Sequence, residues 1–150
     1  MSIFLFRINF DALENHETDL NIKEHYTDTA GFTDHVFALA VLLGYNFAPR
    51  IRDLFKLKLF SIGLIDDFGH VNSLIKDRID TQLIEDNWDE ILRAAASIRH
   101  GTTSASLLMR KLASYPKQNQ LAKALAEMGK IERTVFLLQW LQDPKMRRAR

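Results

Sequence analysis

The stretch HYTDTAGFTDHVFALAVLLG, residues 25–44, joins a polar, turn-prone segment to an apolar run. The apolar run has almost no polar face, which is typical of a buried helix. Thr33 has the side chain of a helix N-cap, Asp34 would complement the positive end of the helix, and Gly44 is a natural stop. The stretch therefore predicts a buried helix that begins after Thr33 and ends at Gly44.

Upstream of this helix, the apolar residues alternate with other residues. The alternation runs through residues 4–10 and, less cleanly, through residues 20–26, and a period of two indicates a strand. Residues 45–60 are interpreted as one or two short extended segments, with Pro49 favouring an edge position for the first. The pattern predicts an α/β front half over residues 1–79.

The remaining residues, 80–150, have apolar spacing that is typical of helices. Four stripes are predicted: Trp88, Ile91, Leu92, Ala95 and Ile98; Leu107, Leu108, Leu112 and Tyr115; Leu121, Leu125 and Met128; and Ile131, Val135, Leu138 and Leu141. Thr103 or Ser104 would cap the second helix, Gly129 would separate the third from the fourth, and Asp143 precedes a proline that would end the last. We therefore predict a mostly helical second half.

Composition restricts the class of protein. At 150 residues, 47% apolar and 26% charged, the chain has the make-up of one folded domain. It has no cysteine, which excludes disulfides and thiolate metal sites and makes the cytosol the expected compartment. The apolar start, residues 1–10, is too short to span a membrane and lacks the pattern of a signal peptide.

The net charge of +1 conceals a division along the chain. Residues 1–90 contain 8 Lys/Arg and 16 Asp/Glu, whereas residues 91–150 contain 12 Lys/Arg and 3 Asp/Glu. A basic second half suggests a partner that carries phosphate. Two solvated faces of one domain would give the same counts, so both interpretations stay open at this point.

Several basic residues are candidates for DNA binding. Arg50 and Arg52 lie two apart in a predicted extended segment, so both would point to the same face. The helical half adds Arg99, His100, Arg110, Lys111, Lys117 and Arg133. Many modest contacts of this kind suit a phosphate backbone, although each residue alone is typical of an ordinary surface.

One acidic residue, Asp28, follows the second predicted strand and precedes a turn that contains Gly31. Functional carboxylates often occupy this position in α/β folds, but an Asp before a helix is also a common turn residue. The histidines have no helical ligand spacing, and no glycine pattern matches a phosphate-binding loop. Position alone leaves a catalytic and a structural role for Asp28 open.

Two long blocks, residues 24–54 and residues 92–144, closely resemble the C-terminal catalytic region of Tn-three-family replicative transposases (TnpA). The resemblance implies a partial RNase H-like core of the DDE type, in which three acidic residues hold Mg²⁺. Asp28 matches the middle acid of that family, in its TDT-G motif. The implied reaction is phosphoryl transfer: water frees a 3′-hydroxyl at the transposon end, and that hydroxyl attacks target DNA.

The chain also departs from the family pattern. The family's first acid lies upstream of the matching region, and residues 1–10 diverge from what normally precedes it. The third acid would fall just after Arg150, with Glu132 as the alternative within the chain. We therefore expect a truncated transposase piece that is inactive alone.

Two alternatives remain, a non-catalytic module that binds DNA or full-length transposase, and a decayed gene product. We expect DNA as the partner and a bacterial cytoplasmic location. Neither a membrane nor a nucleotide cofactor is expected.

Overall fold

A computed structural model of the protein describes residues 30–44, 47, 58–63, 65–114 and 119–148. Its helices and strands are α1 (Ala30–Leu42), β1 (Leu59–Ser61), β2 (Ile75–Arg78), α2 (Thr81–Asp86), α3 (Trp88–Arg99), α4 (Ala105–Ser114), α5 (Gln120–Gln142) and α6 (Pro144–Arg148). The strands predicted at residues 4–10 and 20–26 lie outside the described residues, as do most of the extended segments predicted over residues 45–60.

Helix α1 is the predicted buried helix, but it begins at Ala30, so the predicted start after Thr33 was wrong. The earlier start places Asp34 inside the helix, where it is buried instead of facing solvent at the first turn. At the other end the prediction is confirmed. Gly44 has a φ of 81° and its N–H donates to the carbonyl of Val41, a left-handed glycine that ends the helix.

Strands β1 and β2 are parallel and form a small two-stranded sheet. Leu59 pairs with Ile75 and Ser61 with Arg78, with an irregularity after Leu59. A 3-10 segment, Ile65–Leu74, connects them and breaks at Gly69, whose φ is 56°. The described part of the α/β half therefore contains one short parallel strand pair next to α1.

Side-chain caps begin two of the helices that follow the strand pair. The Asp80 side chain accepts a hydrogen bond from the backbone N–H of Leu83 at the start of α2. Ser104 Oγ accepts one from the N–H of Leu107 at 3.2 Å, so Ser104 is the cap of α4. Helix α3 ends at Arg99, one residue after the last residue of its predicted apolar stripe.

Helix α5 is one continuous helix of 23 residues, so the two helices predicted on either side of Gly129 were wrong. Gly129 is buried against α1. A Cβ atom at this position would lie 1.7 Å from the backbone oxygen of Asp34. The glycine therefore permits a close crossing of α1 and α5 and does not end a helix.

The core forms around this crossing. Its largest cluster joins Ala38 of α1 with Ile91 of α3 and Leu125 of α5. The predicted stripes are right for Ile91, Ala95 and Ile98, which are buried, but Trp88, Leu92 and Leu107 are exposed. None of the described helices is long and apolar enough to cross a membrane.

Candidate functional site

A buried charge pair lies where α1 and α5 cross. Arg133 Nη1 is 2.7 Å from Asp34 Oδ1, and the two side chains are only 17% and 8% exposed. This contact is an ion pair. It does not have the geometry of a hydrogen bond, and Asp34 Oδ1 has no hydrogen-bond partner among the described residues. Arg133 thus faces the interior of the fold and is paired there.

The ring of Phe60, from β1, covers the same region. The Arg133 guanidinium lies 5.1 Å from the centre of this ring and the Lys130 ammonium lies 5.2 Å from it. Both distances are in the range of cation–π attraction. The N–H of Phe60 also donates to Thr134 Oγ1 at 3.1 Å, so β1 is tied to α5 beside the ion pair.

Glu127 extends this arrangement to α2. One of its carboxylate oxygens forms a short ion pair with Lys130, one turn further along α5. The other accepts a hydrogen bond from the backbone N–H of Asp80 at 3.0 Å. We name Asp34, Phe60, Glu127, Lys130 and Arg133 the crossing cluster, because they join α1, β1, α2 and α5.

The pKa of Asp34 is raised above its ordinary value. Burial is the largest cause, since it disfavours the charged carboxylate, and Glu127 acts in the same direction. Arg133, Lys130 and His35 oppose the shift. The ion pair therefore offsets only part of the desolvation of Asp34.

Glu132 lies on α5 and is half-buried. Burial raises the pKa of its carboxyl group. Its neighbour Arg133 pairs with Asp34, and none of the ion pairs of the described residues includes Glu132. Glu132 is thus a partly desolvated carboxyl group outside the ion pairs of the described residues.

The described residues contain no group of three His, Asp or Glu side chains that could hold a metal ion. His35 is turned toward α5, where its Nε2–H donates to the carbonyl of Ala122 at 2.6 Å. Asp28, the predicted metal ligand, lies outside the described residues. The described structure therefore neither includes nor tests the predicted magnesium site.

Four of the predicted DNA-binding residues are exposed on or next to α3 and α4. Ile98 and Ala105 share one apolar cluster, so the end of α3 lies against the beginning of α4. We name the four exposed residues together the α3–α4 basic surface: Arg99 and His100 at the end of α3, and Arg110 and Lys111 on α4.

The exposed Arg93 forms an ion pair, since its Nη1 atom lies 2.6 Å from Glu90 Oε1. The cations of the α3–α4 basic surface differ from it in this respect. None of the ion pairs between described residues includes Arg99, Arg110 or Lys111. Their charges are therefore available to an anionic partner. The other predicted DNA-binding residues, Arg50, Arg52 and Lys117, lie outside the part of the chain that the structure describes.

Sequence reasoning missed Asp34 and Gly129 as packing partners. Asp34 resembled an N-terminal helix residue because it follows Thr33. Gly129 resembled a helix stop, yet an isolated glycine within an apolar helical pattern is also the signal of a close backbone approach. The pairing of Arg133 with Asp34, 99 residues earlier in the chain, leaves no local signal in the sequence.

Comparison with known proteins identifies one family. A family model described as "Tn3 transposase DDE domain" matches residues 8–150. The chain is 59% identical over 139 residues to the transposase for transposon Tn2501 of Escherichia coli and 54% identical over 138 residues to that for transposon Tn1546 of Enterococcus faecium. It is 36% identical over 138 residues to the transposase for transposon gamma-delta of Escherichia coli strain K12.

Each of these three matches includes 92% of the chain but only 14% of the relative. The chain therefore spans about one seventh of the length of these transposases. No solved structure matches it.

Proposed function

The chain belongs to the Tn3 transposase DDE domain family, and on that premise we propose that it supplies part of the catalytic domain of a DNA transposase. The relatives are transposases and are about seven times longer than the matched region. The reaction proposed for the whole protein is phosphoryl transfer on DNA, with 3′-end nicking followed by strand transfer. This chain alone would contribute one segment of that machinery.

The proposed architecture is a partial RNase H-like core over residues 1–79, followed by a basic helical segment over residues 80–150. The parallel pair β1 and β2 beside α1 supports an α/β core. The described elements after Asp80 are all helices, which supports a boundary between the two segments at residue 80.

Asp28 is the proposed middle acid of the metal site. The TDT-G motif supports this role. The family of the chain is established by the family model that matches residues 8–150. When bound, Mg²⁺ would activate the attacking oxygen and stabilise the leaving one, and several carboxylates are needed to hold it. Glu132 is the alternative third acid within this chain, supported by its position on α5 and its partly desolvated carboxyl group.

DNA is the proposed partner, and the α3–α4 basic surface carries this part of the proposal. Arg99, Arg110 and Lys111 are exposed and outside the ion pairs of the described residues. Cations of this kind bind phosphates through many modest contacts. Arg50, Arg52 and Lys117 remain in the proposed set on the sequence pattern.

We omit Arg133 from the proposed DNA contacts, because it is largely buried and paired with Asp34. A guanidinium in that position would have to break its own ion pair before reaching a phosphate. Full-length transposase is a second proposed partner, and the bacterial cytoplasm is the proposed location.

A non-catalytic DNA-binding module is the second candidate function. The observation in its favour is that Arg99, Arg110 and Lys111 are exposed and lie outside the ion pairs of the described residues. Such a module would bind DNA or join full-length transposase without cleaving DNA. A decayed gene product is the remaining alternative.

The test measures binding of the purified chain to a fluorescent DNA duplex over a range of salt concentrations, together with nicking of supercoiled plasmid with and without Mg²⁺. A protein with six to ten phosphate contacts loses about 10³–10⁵ in affinity between roughly 50 and 200 mM salt. Comparable salt dependence supports DNA binding, and its absence in a folded sample contradicts it.

The nicking assay distinguishes the candidates. Mg²⁺-dependent nicking that is lost in Asp28→Asn supports catalysis by this chain. Binding without nicking supports the non-catalytic module, and an aggregated sample without cooperative unfolding supports decay.

A further inference from the structure

We propose that the outer face of α3 binds a second copy of this chain, with the two α3 helices antiparallel across a twofold axis. Both copies use the same residues, so the interface is self-complementary. The inference concerns the chain in the absence of DNA and metal, and it does not rest on the proposed function.

An apolar stripe runs along the outer face of α3. Trp88 and Leu92 are large apolar residues, yet they are 42% and 45% exposed. The exposed Ala96 and Arg99 continue the same line, because steps of four, four and three residues keep side chains on one side of a helix. Another side of α3 packs against the core through its buried residues, Ile91, Ala94, Ala95 and Ile98. The stripe is therefore open to solvent in the single chain.

The two ends of this stripe carry opposite charges. Asp89 is exposed at the start of α3, next to Trp88, and the exposed acids Glu85 and Asp86 precede it. Arg99 is exposed at the end of the helix. None of the ion pairs between described residues includes Asp89 or Arg99. The stripe therefore presents an acidic end and a basic end, with apolar side chains between them.

An antiparallel arrangement matches these ends. Asp89 of one copy then lies opposite Arg99 of the second copy, and the twofold axis repeats this contact at the other end of the pair. The same guanidinium reaches the Trp88 ring of the second copy, and tryptophan is the most favourable ring for cation–π attraction. A parallel arrangement would instead place like charges side by side. DNA does not suit the whole face, because its phosphates would oppose Asp89.

The middle of the stripe supplies apolar contacts. Leu92 and Ala96 lie on either side of its midpoint, so Leu92 of each copy packs against Ala96 of the other. Arg93 is also near the midpoint, but its Nη1 atom lies 2.6 Å from Glu90 Oε1 of the same helix. The charge of Arg93 is therefore already balanced and does not oppose the pairing.

The length of the stripe determines the strength of the pair. From Trp88 to Arg99 the stripe is roughly 16 Å long, at about 1.5 Å per residue. A contact of this length buries less than the roughly 1,600 Å² of a standard interface. We therefore expect weak association that increases with protein concentration. Arg99 also belongs to the α3–α4 basic surface, so the pairing is measured without DNA.

The test measures the mass of the purified chain by sedimentation equilibrium at increasing protein concentrations. Two charge reversals, Asp89→Arg and Arg99→Asp, are measured separately and as an equal mixture. Each reversal alone places like charges opposite each other, whereas the mixture restores both opposite-charge contacts in a heterodimer. Lys123→Asp is the charge control, because Lys123 is an exposed cation on α5.

A further variant, Leu92→Glu, tests the apolar part of the stripe. Leu92 is already exposed in the single chain, so this variant should fold. Val135→Glu is the matched control, since Val135 is 43% exposed on α5. Far-UV circular dichroism verifies the helix content of every variant.

The original chain should form dimers as its concentration rises. Asp89→Arg, Arg99→Asp and Leu92→Glu should each weaken dimerisation by about tenfold or more, because like charges or an unpaired carboxylate then lie in the interface. The mixture of the two charge reversals should dimerise about as well as the original chain. Lys123→Asp and Val135→Glu should leave dimerisation unchanged.

A chain that stays monomeric at its highest soluble concentration would overturn the inference. So would a mixture that dimerises no better than either reversal alone, or assemblies larger than a dimer, since a twofold pair is closed. If a charge reversal does not fold, the comparison of Leu92→Glu with Val135→Glu decides the outcome. These masses are measured without DNA or Mg²⁺, so failure of the proposed function is detected separately, by the binding and nicking assays.

Discussion

Arg133 Nη1 lies 2.7 Å from Asp34 Oδ1, and this pair joins the two helices that cross at the centre of the fold. It removes one cation from the basic half of the chain, because Arg133 is enclosed by α1 and β1. The DNA-binding hypothesis therefore depends on cations that are both exposed and outside ion pairs, above all those of the α3–α4 basic surface.

Removing the cation of the buried pair should destabilise the protein strongly. Arg133→Met leaves the Asp34 carboxylate buried without its partner, a change that costs about 3–5 kcal/mol in comparable pairs. Adding Asp34→Asn to this variant should recover part of the loss, because no unpaired charge then remains. Urea unfolding at pH 7 gives the free energies, and Lys123→Met is the control.

The loss of unfolding free energy caused by Arg133→Met should depend on pH. Burial already raises the pKa of Asp34, and Arg133 opposes that shift, so removing Arg133 raises the pKa further. As the pH falls from 7 through the folded pKa of each protein, the carboxyl group becomes protonated in both, and the difference in unfolding free energy should become smaller than at pH 7. An equal difference at both pH values would contradict this assignment.

Replacing Gly129 should separate α1 from α5. Gly129→Ala places a methyl group 1.7 Å from the Asp34 backbone oxygen, and backbone atoms cannot move aside as a side chain can. We expect a loss of about 3 kcal/mol, the upper part of the range for overpacking, despite the better helix propensity of alanine. Thermal unfolding measures the effect.

Gly63→Ala is the matched control, because a Cβ atom at Gly63 meets nothing within 4 Å. This variant should unfold within a few degrees of the original chain. Equal stability of the two variants would show that α1 and α5 do not cross as described.

Glu132 should contribute a specific pH dependence to stability. Burial raises its pKa in the folded protein above the ordinary value of 4.5, so the folded state binds the proton more tightly than the unfolded chain. Acidification from neutral pH through the folded pKa should therefore stabilise the protein. Glu132→Gln should be more stable than the original chain at pH 7 and should lack this gain.

Unfolding free energies between pH 7 and pH 4.5 test this prediction, with Glu85→Gln on the exposed side of α2 as the control. If Glu132→Gln is less stable at neutral pH and keeps the full pH dependence, the carboxylate makes a favourable interaction that the structure does not include.

Helical period and capping residues predicted much of the second half of the fold. Ser104, one of the two predicted caps, starts α4, and Ile91 and Ile98 face the core as their spacing requires. These features depend on residues within a few positions of each other. Local sequence therefore contains the necessary information.

The errors arose where distant parts of the chain meet. Thr33 has a capping side chain, but α1 begins earlier, and the tertiary pairing of Asp34 with Arg133 places that segment inside the fold. Gly129 lies inside a continuous helix. The backbone of α1 occupies the space that a side chain at this position would need, which explains the glycine. The catalytic assignment of Asp28 came from the family motif, since position alone also fitted a turn residue.

The most direct test of the central claim compares the salt dependence of DNA binding in two double variants. Arg110→Gln/Lys111→Gln removes two cations from the α3–α4 basic surface. Lys76→Gln/Arg78→Gln removes two exposed cations from β2 and changes the net charge equally. Each phosphate contact contributes about 0.9 to the slope of log affinity against log salt concentration.

The account predicts that Arg110→Gln/Lys111→Gln binds the duplex more weakly and lowers this slope by about 2, while Lys76→Gln/Arg78→Gln leaves both nearly unchanged. Equal losses in the two variants, or no loss in the first, would contradict DNA binding through α3 and α4.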